Sequence, residues 1–88
     1  MNLATLEQYV ADINSVRAMF DQPALSILNP QDRHRIASKI DGDLSPEALT
    51  CDGELPAKVV RQRYKRLVKC AEQLYSIDPT VKIHELVL

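Results

Sequence analysis

Between Leu3 and Phe20 the apolar residues Leu6, Tyr9, Val10, Ile13, Val16 and Phe20 recur at spacings of three and four. At 100° per residue they share one arc, which predicts an amphipathic helix over residues 4–20. Glu7, Gln8, Asn14 and Ser15 face away from that arc, Arg17 stands on its edge, and Pro23 marks the end of the element. The short apolar stretch Gln22–Leu28 reads as a helical turn or a packed loop.

Asn29-Pro30 is a helix start, with Asn29 as N-cap and Pro30 in the first helical position. Asp32 adds negative charge to the first turn, where the helix dipole favours it. Ile36, Ala37 and Ile40 supply a short apolar face, and Gly42 is the expected stop. This predicts a second helix over 30–40. Ser45-Pro46-Glu47 repeats the start signal, but Gly53 follows soon after and leaves room for one or two turns at 46–50. Residues 41–55 therefore read as a turn-rich connector.

The longest element is predicted over 56–77. Val60, Tyr64, Leu67, Ala71 and Leu74 recur at 4, 3, 4 and 3, with Val68 and Tyr75 widening the stripe. The seam spans about 33 Å of helix, and Asp78-Pro79 ends it. In the tail, Val81, Ile83 and Val87 favour an extended chain. Such a tail lies across the helices or pairs with another copy, and a last short helix is the alternative.

These elements make a single all-α domain over residues 1–88. Two long amphipathic helices pack antiparallel along Leu6/Val10/Ile13 and Val60/Tyr64/Leu67. One or two short helices stand between them, and an extended or short-helical tail follows. A chain of this length buries only about 60–65% of its unfolded surface. Aromatic content is 5%, with no Trp, so the core must be aliphatic and thin. Thin helical cores often gain stability by self-association, so a homo-oligomer is expected. The long helix outlasts its partners, and its end near Leu74 and Tyr75 is the expected uncovered surface.

The net charge of −1 conceals a segregation. Residues 1–57 carry nine acids and four bases, 58–70 carry six bases and no acid, and 71–88 carry three acids and one base. On the long helix Lys58, Arg61, Lys65, Arg66 and Lys69 fall within one arc opposite the apolar seam, with Arg63 on its flank. Such a face draws an anionic partner. The same cations can neutralise phosphates and give salt-dependent binding to nucleic acid. Against nucleic acid stand a pI of 6.1 and the absence of an aromatic residue on the cationic arc itself, since Tyr64 belongs to the apolar seam. The plainer reading is a solvated face paired in part with the acidic connector, which holds Asp41, Asp43, Glu47, Asp52 and Glu54 and no base.

Other chemistry finds less support. Asp41, Asp43, Ser45 and Asp52 stand at calcium-loop spacing, but Pro46 occupies the position that requires Gly. Cys51, Cys70, His34 and His84 match no zinc spacing. Two glycines make no phosphate loop, and no nucleophile–base motif is present. The chain is read as non-enzymatic, without a metal or cofactor. No run approaches the ~20 apolar residues that span a bilayer, no signal peptide is evident, and two unpaired cysteines suit a reducing cytoplasm. The leading expectation is a small regulatory or inhibitory module that binds an acidic protein surface. Nucleic-acid binding through the basic face is the alternative. A third reading places an anionic small molecule at an oligomer interface.

Overall fold

The computed structural model describes residues 2–51 and 53–85. Four helices follow one another: α1 (Ala4–Met19), α2 (Pro30–Asp43), α3 (Pro46–Thr50) and α4 (Ala57–Ile77). Among the described residues there is no strand, and no helix is long and apolar enough to cross a membrane.

The first turn of α1 has no capping side chain of its own at Leu3. Its orphan amides find other acceptors: Asn2 Oδ1 takes the Ala4 N–H at 2.9 Å, and Gln73 Oε1 of α4 takes the Leu6 N–H at 2.8 Å. The Gln73 bond ties the start of α1 to the last turns of α4. Further along, the buried Cys70 thiol donates to Thr5 O at 3.7 Å, and Arg66 meets Asp12 at 3.2 Å. Rising positions on α1 thus meet falling positions on α4, as an antiparallel pair requires.

The two helices share only half their lengths. The buried residues of α1 are Leu6, Tyr9 and Val10, and those of α4 are Leu67, Cys70, Ala71 and Leu74. The seam expected through Val60 and Tyr64 therefore enters the core only from Leu67 onward, with Tyr64 37% exposed. The end near Leu74 and Tyr75, expected to be bare, is covered. Leu74 is fully buried, and the C-terminal tail lies over that end. Past the Asp12–Arg66 pair, Val16 and Phe20 on the α1 side and Val59 and Tyr64 on the α4 side are exposed.

Helix α2 starts as its sequence dictates. Asn29 Oδ1 accepts from the amides of Gln31 (2.9 Å) and Asp32 (3.2 Å). It runs through Gly42 to Asp43 instead of stopping at Ile40. Glycine inside a helix costs about 1 kcal/mol relative to alanine. Extending the helix carries Leu44 into the core beside Ile36 and Ile40, and burying a leucine contributes about 1.5–3 kcal/mol, so the extension wins. Asp41 and Asp43 are thus helical, and the connector begins three residues later than expected.

Residues 22–29 fold back along α1 as a packed loop. Asn14, expected to face solvent, accepts from the Leu25 amide at 2.7 Å and donates to the Leu25 carbonyl at 2.9 Å. That clamp holds Leu25 in the core. The tail is extended and crosses the helices. Val81 and Ile83 are buried, the Ile83 N–H donates to Tyr75 Oη at 3.2 Å, and the Glu85 N–H donates to Asp41 Oδ1 at 2.8 Å. Asp78, buried at the end of α4, accepts from the Thr80 amide and hydroxyl and lies 3.6 Å from Arg33 of α2. These bonds let a lone extended segment pack without a partner strand. Val87, part of the alternating pattern, lies outside the described residues.

Candidate interaction surfaces

Lys58, Arg61, Lys65 and Lys69 follow one another along α4 at helical spacing, and all four are exposed. None makes an ion pair among the described residues. Two neighbouring arginines are instead used within the fold. Arg66 pairs with Asp12, and Arg63 donates to Ala48 O and to Cys51 Sγ at 3.3 Å each, fastening α3 to α4. Both partners of the Arg66–Asp12 pair are about half exposed, so solvent screens the pair and it is weak. It leaves Arg66 open to exchange for another anion.

Among the described residues, no acid of the connector pairs with this stripe. Asp41 is taken by His84 (3.2 Å) and the Glu85 amide, and Asp43 by Lys39 (3.1 Å) and the Tyr9 hydroxyl (2.6 Å). Glu47 and Glu54 make no ion pair among the described residues. The Glu85 amide, more than any other neighbour, holds the Asp41 carboxyl below its ordinary pKa. Tyr9 is pushed the other way, first by burial and then by its bond to Asp43, so its hydroxyl stays a proton donor.

The calcium and zinc constellations are dispersed. Asp41 and Asp43 belong to α2 and have separate partners, Ser45 caps α3 through the Ala48 amide, and Asp52 lies outside the described residues. Cys70 is sealed under α1, where burial raises its thiol pKa, while Cys51 sits exposed at the end of α3. His34 stands beside Thr80 and His84 beside Asp41. Among the described residues no three His, Cys, Asp or Glu side chains are grouped to hold a metal.

One feature escaped the sequence reading. A groove of about 720 Å³ runs between α1 and α2, on the side where α1 leaves α4. Ile13, Val16 and Leu25 give it an apolar floor, and Arg17, Arg35, Lys39 and Arg66 stand around it with Asp12 and Asp43. A second cavity of about 230 Å³ shares Tyr9, Asp43 and Arg66 with it and reaches Ala48, Arg63 and Leu67. The available signal was Arg17 at the edge of an otherwise apolar arc. A cation there implies that the arc meets solvent before the helix ends.

No protein-family model, curated protein or solved structure matches the chain.

Proposed function

We propose that this chain is a non-catalytic, cytoplasmic interaction module that binds an acidic protein surface through Lys58, Arg61, Lys65 and Lys69, with Arg66 at the edge of the contact. The observation that carries the reading is the absence of ion pairs at those four exposed cations among the described residues, while Asp41 and Asp43 are engaged elsewhere. Unpaired charge of one sign along a rigid helix keeps its long-range field, which speeds encounter with an opposite field and selects against like-charged partners. Binding at such a rim-type surface is sensitive to salt because the charges stay hydrated.

Nucleic acid is the second reading. Tyr64, 37% exposed one turn from Arg61 and next to Lys65, favours it, because a base can stack on such a ring. One experiment separates the two. Anisotropy is measured with a fluorescein-labelled Asp/Glu-rich peptide, a mixed-sequence single-stranded RNA and a duplex DNA, each at low and moderate salt. The wild type runs beside a variant carrying Lys58→Glu, Arg61→Glu, Lys65→Glu and Lys69→Glu. The expected result is peptide binding that weakens with salt and is lost in a variant of unchanged circular dichroism. Preference for RNA or DNA replaces the first reading with the second. Peptide binding that survives the four substitutions refutes the assignment of the surface.

A further inference from the structure

The chain has a single phenylalanine, and that residue is 70% exposed. Phe20 is not alone: on the same last turns of α1, Val16 is 55% exposed and Met19 79%. In a small domain short of aromatic residues, a phenylalanine is among the largest apolar groups available to a core. Several such side chains in one region mark an interaction surface more often than scattered exposure does.

Phe20 is also held in place. It follows the last turn of α1, and its N–H donates to Arg17 O at 3.0 Å. Asp21 then turns into the left-handed region (φ 55°), the Asp21 N–H donates to Ala18 O at 3.2 Å, and the Gln22 N–H donates to Arg17 O at 2.9 Å. The turn therefore displays an aromatic ring and, next to it, a carboxylate that makes no ion pair among the described residues.

Ile13 and Val16 lie on one stripe of α1 and Phe20 follows at its C-cap, between the groove-lining Arg17 and Gln22 but not itself lining the groove, so it adjoins the groove and does not fill it. The groove offers the complement of what the turn displays: an apolar floor ringed by Arg17, Arg35, Lys39 and Arg66. Arg66 pairs with Asp12, Lys39 with Asp43 and Arg35 with Asp32, which leaves Arg17 as the rim cation with no ion pair among the described residues and a local excess of one positive charge. The projecting group and its receptor are on the same chain and adjoin each other. That is the arrangement a two-fold axis makes self-complementary.

We infer that a second copy of this chain docks on this face, α1 against α1 in antiparallel sense. Phe20 of each copy seats on the Ile13/Val16/Leu25 floor of the other, and Asp21 of each meets the other's cationic rim. A foreign acidic peptide satisfies the rim equally well, but it gives no reason for this chain to display its own Phe20, Met19 and Asp21 beside the groove. The contact shares only Arg66 with the α4 surface, and Lys58, Arg61, Lys65 and Lys69 stay free for another partner.

The test is mass against concentration, by sedimentation or light scattering, from about 1 μM to about 1 mM, the range that brackets a weak protein dimer. The expected curve rises from one chain to two. Phe20→Glu and, separately, Val16→Glu hold the mass at one chain throughout, with unchanged circular dichroism because both side chains are exposed. Asp21→Lys weakens the dimer about tenfold or more, as expected for a rim charge turned against like charge. The four-fold Glu variant of the α4 stripe dimerises as the wild type does. Mixing Ile13→Cys with Phe20→Cys chains, each carrying Cys51→Ser, yields a disulfide-linked pair under mild oxidation. A wild type of single-chain mass across the range overturns the proposal. So does a dimer that Phe20→Glu and Val16→Glu leave intact, which would place the contact elsewhere.

Discussion

Replacing Leu74 by alanine tests where the core of this protein lies. Leu74 is fully buried at the C-terminal half of α4, in one cluster with Leu6, Ile36 and Ile40. Leu→Ala removes three carbons, worth about 2.4 kcal/mol in transfer free energy at ~0.8 kcal/mol each. The cavity left behind adds to this, and measured costs for such changes run from about 2 to 5 kcal/mol. A cost of about 3–4 kcal/mol follows for a site enclosed on all sides. Total stability for a domain of 88 residues is about 4–13 kcal/mol, so this one change removes a large part of it. At about 4–8 °C per kcal/mol, the melting temperature falls by roughly 12–30 °C. The control is Val59→Ala at the other end of the same helix, where the side chain is 38% exposed. There the lost apolar contact, at most about 1 kcal/mol, is offset by the better helix propensity of alanine, about 0.5 kcal/mol. Its melting temperature should lie within a few degrees of the wild type. Far-UV circular dichroism melts and urea titrations of the three proteins measure the difference. Equal costs at Leu74 and Val59 would refute the account of α4 as half core and half surface.

Two further outcomes follow. Asn14→Ala deletes both bonds that clamp the Leu25 backbone and should cost about 1–3 kcal/mol, at ~0.5–1.5 kcal/mol for each bond; thermal melts check the cost, and loss of the dimer tests whether Leu25 forms the floor of the groove. Asp12, Asp41 and Asp78 all titrate below their ordinary range, held chiefly by the Gln8 amide, the Glu85 amide and the Thr80 hydroxyl respectively. Because the unfolded chain binds those protons first, their contribution is complete above about pH 5 and is lost as pH falls through the lowered folded values. Urea midpoints measured from neutral pH down to about pH 3 should decline, and a midpoint that holds or rises on acidification would contradict these assignments.

The elements that could be read from the chain are those whose cause is local. Asn29-Pro30 and Ser45-Pro46 cap the helices they were expected to cap, because capping depends on a side-chain oxygen two or three residues from the amide it accepts. The basic stripe of α4 could be read for the same reason, since helical spacing alone puts Lys58, Arg61, Lys65 and Lys69 on one face. What could not be read depends on where one helix leaves another. Periodicity assigns Val60 and Tyr64 the same face as Leu67 and Leu74, and assigns Val16 and Phe20 the same face as Leu6. It contains no term for the point beyond Asp12 and Arg66 at which the two stripes separate. The tail decided that point from outside both helices. Val81 and Ile83 cover the end of α4 that the seam had marked as free, with Tyr75 Oη accepting from the Ile83 amide and Asp41 from the Glu85 amide. With that end closed, Val16, Met19 and Phe20 at the C-terminal end of α1 are among the large apolar side chains left exposed, beside the groove and Asp21. An oligomer sought at Leu74 and Tyr75 is sought instead at Val16 and Phe20.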